Sequence, residues 1–357
     1  MDLTKYVLPN EVKINNKLIG PGHPCFVVAE IGNNHNGSFE LAQKGIEAAA
    51  YAGADAVKLQ KRTIEEVFTK ELRQIPQTSQ KFFGATYEEY RRRLELTDNE
   101  VARLKDYAHS LGLVFFVTPF DLKSAEALAE IGMDCWKIAS FDLNHRELLY
   151  AIAKLGQPII LSTGMSTIEE RDEAIKTILD INQKLIINHC VSIYPTPPQD
   201  YNLGAIHTMR SRYAPLPIGY SGHEIGFFAT IAAVAIGATT IERHFTTDKS
   251  LPGPDHATVS LEPIEFAEMV KNIRNIEKAI KDTSIYLHEK EIPHRNKHGK
   301  SIVARVPINK GIEITAEMLC FRSPGSGIKP TLIHTVLGRI AQTNIPEDTV
   351  ITELNLS

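Results

Sequence analysis

Residues 24–280 repeat one pattern: a short apolar run rich in β-branched residues, then a stretch with apolar residues at helical spacing. The apolar runs fall at 24–32, 54–60, 113–120, 134–140, 158–164, 184–192, 217–223 and 239–246. They are continuously apolar, which marks strands buried on both faces, as in a parallel sheet. Between them, FELAQKGIEAAAYAG (39–53) and NEVARLKDYAHSLG (99–112) read as helices, the second behind the cap candidates Thr97 and Asp98. SAEALAEIG, RELLYAIAKLG and ATIAAVAIG also stop at a glycine suited to a left-handed C-terminal turn. Eight strand–helix units in about 250 residues predict an α/β fold, a (β/α)8 TIM barrel. The competing arrangement is an open doubly wound sheet, but no G-x-G-x-x-G opens the first helix.

Three stretches depart from the repeat. Residues 61–96 form a charged, aromatic insertion after the second strand, expected to lie over the barrel mouth as a loop or short helices. Residues 281–299 are polar without periodicity and read as a linker. Residues 300–357 carry short β-rich runs with turn signals at Asn309-Lys310-Gly311, Pro324-Gly325 and Pro346-Glu347-Asp348. The expected organisation is a barrel domain over 1–280, a linker over 281–299 and a small β-rich domain over 300–357.

Charge excludes some functions. Lys plus Arg number 39 and Asp plus Glu 43, a net charge of −4 with no basic block, so no nucleic-acid partner is expected. No apolar run reaches the roughly 18 residues of a membrane span, and MDLTKYVLPNEVKINN does not read as a secretory signal. Cys25, Cys135, Cys190 and Cys320 lack metal-ligand spacing, and the first three sit in apolar runs. They read as reduced core thiols of a cytoplasmic protein.

In a barrel, chemistry collects at the C-terminal strand ends. The polar residues there are Glu30, Asn33, Asn34, Lys58, Gln60, Thr118, Lys137, Ser140, Ser162, Thr163, His189, Ser192, Tyr194, Ser221, His223, Glu242 and His244. Lys58 and Lys137, with hydroxyls from several strands, suit an anionic ligand. His223 and His244, from neighbouring strands, suit a divalent metal with open positions; a packed core histidine is the plainer reading of either. His35, His189 and His256 are weaker ligand candidates. Glu30 reads as a general acid/base, as an orienter of a sugar hydroxyl or metal water, or as the partner of a barrel lysine. Asp255, in PGPDHA (252–257), either faces the mouth or caps its own turn.

The motifs AEIGNNHNG (29–37), VKLQ (57–60), VTPF (117–120), WKIAS (136–140), LSTGM (161–165), IYPTPP (193–198), GYSGHEIG (219–226), ERHFT (242–246) and PGPDH (252–256) resemble the sialic acid synthase family. FRSPGSGI (321–328) and LGRI (337–340) look like the antifreeze-like (SAF, β-clip) domain these enzymes carry. The resemblance implies condensation of phosphoenolpyruvate with the open-chain aldehyde of an N-acetylated hexosamine, with loss of phosphate. The expected reaction is that of an N-acetylneuraminate synthase using N-acetylmannosamine or its 6-phosphate. The alternative is a legionaminate or pseudaminate synthase using a 2,4-diacetamido-6-deoxy hexose. Carried over by position, Lys58, Gln60, Thr118, Lys137, Ser140, Ser162, Ser192 and Ser221 hold phosphoenolpyruvate. Glu30, His223 and His244 are catalytic, and the two histidines bind manganese, or another divalent ion such as magnesium or cobalt. Tyr194, Asp255 and Arg322 face the sugar, Arg322 reaching a partner's site in a domain-swapped homodimer. Ser192 and Gly222 stand where many bacterial members have Asn and Asp. Two other readings lie further off. A related barrel making a 3-deoxy acid from a sugar phosphate needs no acyl-recognising arginine, and an ice- or carbohydrate-binding protein leaves the lysine–histidine ring unexplained.

Overall fold

The computed structural model describes residues 1–78, 83–253 and 258–357. The chain divides into two compact units, Met1–Lys281 and Asp282–Ser357.

The first unit is a nearly closed parallel barrel. Its strands are β1 (Phe26–Gly32), β2 (Ala56–Lys61), β3 (Val114–Pro119), β4 (Trp136–Ile138), β5 (Ile159–Ser162), β6 (Leu185–Cys190), β7 (Ile218–Gly222) and β8 (Thr240–His244). Each of the eight apolar runs in the sequence holds one of them. Neighbours pair in parallel around the ring, β8 closing on β1. Between β3 and β4 the ladder gives way to Asp134, whose carboxylate accepts the Phe115 N–H at 2.8 Å.

Burial on both faces hides a two-residue alternation. Phe26, Val28, Ala56, Val114, Phe116, Cys135, Ile160 and Ile186 point into the barrel and form one apolar cluster. Val27, Ala29, Ile31, Val57 and Leu59 point outward into the layer beneath the helices. An N-terminal hairpin, Val12–Ile14 with Lys17–Ile19, adds Val12, Ile14 and Ile19 to the inner cluster. Asn15, at φ 50°, makes its turn, a conformation asparagine tolerates. The N-terminal end of the barrel is thus filled with hydrocarbon, and polar side chains begin only further along each strand.

The helices begin where short polar side chains cap them. Ser38 caps α1 (Phe39–Tyr51). The insertion holds α2 (Ile64–Val67), α3 (Lys70–Arg73) and α4 (Tyr87–Leu94), the short helices expected there. Thr97 and Glu100 form a capping box on α5 (Asp98–Ser110), and Asp121 caps α6 (Leu122–Ile131). The outer ring continues with α7 (Arg146–Lys154), α8 (Ile168–Leu179), α9 (Gly204–Arg212), α10 (Phe228–Ala235) and α11 (Pro263–Ala279).

The second unit pairs β9 (Ser301–Ala304) with β10 (Leu319–Arg322) in antiparallel register around Ile302, Ile314, Leu319, Ile345 and Ile351. The stretch 281–299 is not simply a linker. It contains α12 (Ile292–His298), started by Pro293 in its first turn. The helix is tied to its own unit: the Gly325 N–H donates to the Asn296 carbonyl at 2.8 Å, and the Ser323 hydroxyl to the His298 carbonyl at 3.0 Å. Seven residues whose only large aliphatic side chain is Ile292 leave no apolar period to read. No helix among the described residues is long and apolar enough to cross a membrane.

Candidate active site

Strand register sets the first tier of the site. His244 lies opposite Glu30, and Glu30 opposite Lys58; on the other side Glu242 lies opposite Ser221, and Ser221 opposite Cys190. The inward-pointing positions therefore turn from hydrocarbon to Glu30, Lys58, Thr118, Lys137, Ser162, Ser221, Glu242 and His244 as the strands reach the mouth. These residues line one cavity of about 300 Å³, together with Gln60, Ser140, Ser192, Tyr194 and His223. Every barrel residue assigned above to catalysis, metal, phosphoenolpyruvate or sugar is brought together there except Asp255. That residue, like His256, lies outside the described residues. Arg322 belongs to the second unit, where it pairs with Asp348.

The floor is a charge lattice. Lys58 Nζ is 2.7 Å from Glu30 Oε2 and donates to Thr118 Oγ1 at 2.9 Å. Lys137 Nζ donates to Ser162 Oγ at 2.8 Å and lies 3.7 Å from Glu242 Oε1. Gln60 donates to Glu30 Oε1 at 2.6 Å. Burial pushes the Glu30 carboxyl above its ordinary range, and Lys58 offsets this only in part. Burial acts on Glu242 in the same sense, but Lys137 and Lys58 outweigh it and hold that carboxyl below its ordinary range. Two carboxyls in one cavity are thus driven apart, the usual basis for separate acid and base roles. Glu242 Oε2 is buried and has no hydrogen-bond partner among the described residues.

The two histidines converge on the other side. Their ring centroids are 5.5 Å apart, and the Tyr194 ring lies tilted against His223 at 4.0 Å. His223 Nδ1 is 2.9 Å from the Val191 carbonyl, which orients the ring and leaves Nε2 for another partner. Burial, reinforced by His223 and Lys58, holds His244 well below the ordinary imidazole range and so neutral, with Nδ1 buried and unpartnered. A neutral His244 facing a ring oriented by backbone suits a divalent ion with open coordination positions. Among the described residues no group of three or more His, Cys, Asp or Glu side chains could hold a metal, so the fit is to this pair.

Some strand-end residues in the sequence ring do not face the cavity. His189 points out of the barrel and bonds the Tyr201 carbonyl at 3.0 Å, Thr163 bonds the Asn188 carbonyl, and Asn34 bonds the Phe245 carbonyl and Ser260. His189 and Thr163 each lie one step out of phase with the inward positions, and Asn34 lies beyond the end of β1. Other cavity residues had been assigned no part in binding or catalysis: Arg62, Arg91 and Phe120, the ring members Asn33 and Glu242, and the core thiol Cys190. Glu242 stood in the strand-end ring, and its two-residue spacing from His244 was the usable signal. Cys190 is buried, as a core thiol should be, yet lies 4.0 Å from His223 Nδ1. Burial would raise its thiol, but His223, Ser140 and Lys137 together outweigh that and bring it to about 7.

Glycine serves close approach at two positions. A Cβ on Gly164 would lie 2.4 Å from Ser192 Oγ and 2.9 Å from Ser140 Oγ. One on Gly222 would lie 2.3 Å from Glu224 Oε2 and 2.5 Å from the Tyr220 ring, so an aspartate there needs local rearrangement. Glu224 is committed to Arg243, its Oε1 accepting from Nη1 at 2.8 Å with both side chains fully buried.

The mouth thus gathers two buried lysines, two facing histidines and two carboxyls of opposite shift, and comparison with known proteins shows the family to which such a barrel belongs here. The chain belongs to the NeuB family, matched over residues 45–284, with a SAF domain over 299–357. It is 35% identical to the N-acetylneuraminate-9-phosphate synthase of Mus musculus over 97% of each chain. It is 36% identical to the N,N'-diacetyllegionaminic acid synthase of Legionella pneumophila over 95% of this chain and 97% of that one. Among solved structures, the N-acetylneuraminic acid (sialic acid) synthetase of Leptospira borgpetersenii matches with a TM-score of 0.70 at 35% identity, covering 80% of this chain and 96% of that one. The protein is an enzyme of the sialic acid synthase type.

Proposed function

We propose that this enzyme condenses phosphoenolpyruvate with the open-chain aldehyde of an N-acylated hexosamine, giving a nine-carbon 2-keto-3-deoxy acid and phosphate. The observation that carries the reading is the convergence of Lys58 and Lys137 with the His223–His244 pair in one cavity. The lysines hold the phosphate and carboxylate of phosphoenolpyruvate, helped by the hydroxyls of Thr118, Ser140, Ser162, Ser192 and Ser221. His223 and His244 are the residues that would hold manganese, magnesium or cobalt, which supplies Lewis-acid polarisation of the aldehyde when bound. Tyr194, Asp255 and Arg322 are assigned to the sugar.

The chemistry then rests on the side chains. The lysine handles present C3 of phosphoenolpyruvate to C1 of the sugar, and the C3–C1 bond forms. Glu30, whose burial favours the protonated form, gives its proton to the aldehyde oxygen. Water adds at C2 and yields a proton to Glu242, held as the carboxylate by the lysines. The C2–O bond to phosphate then breaks as the new C2 hydroxyl gives its proton to the departing phosphate, leaving the keto acid and inorganic phosphate.

Phosphate release from phosphoenolpyruvate, measured with manganese and mannosamine-type sugars, tests the reading. The panel includes 6-phosphorylated and 2,4-diacetamido-6-deoxy sugars. Release that requires a sugar is expected, and none with any sugar rejects the proposal. Lys137→Ala should raise the KM of phosphoenolpyruvate far more than that of the sugar, and equal effects would mark a structural lysine.

A further inference from the structure

The insertion side of the mouth carries two more cations. Arg62 leaves the end of β2, and its side chain is only 7% exposed. A guanidinium at that depth ordinarily pairs closely with a carboxylate, because an uncompensated buried charge is costly. The short contacts of Arg62 are instead to neutral groups. It donates to Asn33 Oδ1 at 3.0 Å and to Gln60 Oε1 at 2.7 Å, and lies 3.8 Å over the Phe120 ring. Glu95 stays 3.9 Å away and spends Oε2 on the Arg62 backbone N–H.

Arg91 approaches from α4. Its Nε donates to the Tyr87 hydroxyl at 2.8 Å, and the guanidinium lies over the rings of Tyr87 and Tyr90. No acceptor among the described residues takes its terminal amino groups. Both arginines line the cavity that holds the lysines. Burial, followed by the Arg91 charge, lowers the Arg62 guanidinium to about 10, so the two cations feel one another.

We propose that Arg62 and Arg91 form an anion subsite for the far end of the acceptor, which is therefore an N-acylated hexosamine 6-phosphate. The inference rests on the condensation proposed above. Lys58 and Lys137 already answer the anionic groups of phosphoenolpyruvate, so a second pair of cations in the same cavity calls for a second anion. Guanidinium forks match phosphate oxygens, and a dianion between the arginines relieves their repulsion while compensating Arg62. A 2,4-diacetamido-6-deoxy sugar has no oxygen at C6 to bear a phosphate. The competing source of the anion is phosphoenolpyruvate itself.

Steady-state kinetics with phosphoenolpyruvate against N-acetylmannosamine 6-phosphate, N-acetylmannosamine and a 2,4-diacetamido-6-deoxy hexose decide the matter. The wild-type enzyme should prefer the phosphorylated sugar. Arg91→Ala, a change at a half-buried helix position, and Arg62→Gln should each lower kcat/KM for it by about tenfold to a hundredfold, the scale of a lost charge-assisted hydrogen bond. The loss with the unphosphorylated sugar should be much smaller, and the KM of phosphoenolpyruvate should move little. If Arg62→Gln fails to fold, Arg91→Ala and the wild-type preference still decide. Equal or better use of an unphosphorylated acceptor, or variants that raise the KM of phosphoenolpyruvate instead, would overturn the subsite and leave the condensation standing. No turnover with any acceptor would overturn both.

Discussion

Lys58 and Lys137 are each 3% exposed, and what keeps them in a barrel interior is the pair of carboxyls beneath them. That lattice was half legible. An ammonium in an apolar strand announces a partner, so both lysines and the hydroxyls were read as an anion site. Arg62 was hidden because it opens a charged insertion, where one more cation carries no signal. The histidine assignment can be tested alone: His223→Ala and His244→Ala should each abolish most manganese affinity in a calorimetric titration while the melting temperature holds. Unchanged affinity in both variants would refute the assignment. Asp142 offers a stability test. Burial raises its carboxyl from 3.8 to about 7, and its Oδ2 has no hydrogen-bond partner among the described residues. Between those values the folded state binds a proton that the unfolded chain has lost, so stability falls as pH rises from 4 to 7. Asp142→Asn should therefore stabilise the protein at pH 8, with the gain fading toward pH 4. Denaturant melts at both values measure it, and a pH-independent effect would contradict the burial argument.

At the level of elements, the eight strands were legible because fully buried parallel strands are apolar throughout. The same property hid which residues faced inward, so His189 and Thr163 joined a ring they do not belong to. The N-terminal hairpin escaped notice because three-residue strands are too short for any period. Its function is mechanical: Ile14, fully buried, closes the hydrocarbon end of the barrel away from the chemistry. Ile14→Ala should cost about 2–5 kcal/mol of stability. The KM values of the folded variant should stay close to wild type, and a large change in either would mean that the hairpin communicates with the mouth.

For the whole molecule, the small β-rich unit was legible from its turn signals, whereas α12 was not, since nothing in its composition distinguishes a short anchored helix from a linker. Arg322 is half exposed and, among the described residues, pairs at the surface with Asp348, a contact worth little and easily exchanged for a sugar. We infer a dimer in which each C-terminal unit serves the partner's barrel. His223→Ala and Arg322→Ala chains should each be nearly inactive alone. Co-refolded, they should recover about a quarter of wild-type activity, because half the dimers are mixed and each mixed dimer has one whole site. Mixed dimers as inactive as the parents would place the arginine in its own chain's site.

The condensation itself is tested most directly by mass spectrometry of a single reaction, using phosphoenolpyruvate labelled with heavy oxygen in the C–O–P bridge and an N-acylated mannosamine or its 6-phosphate. The predicted result is one nine-carbon keto acid, whose mass is that of both substrates plus water less phosphate, with the heavy oxygen in the phosphate. Heavy oxygen left in the organic product, or phosphate formed without the nine-carbon acid, would contradict it.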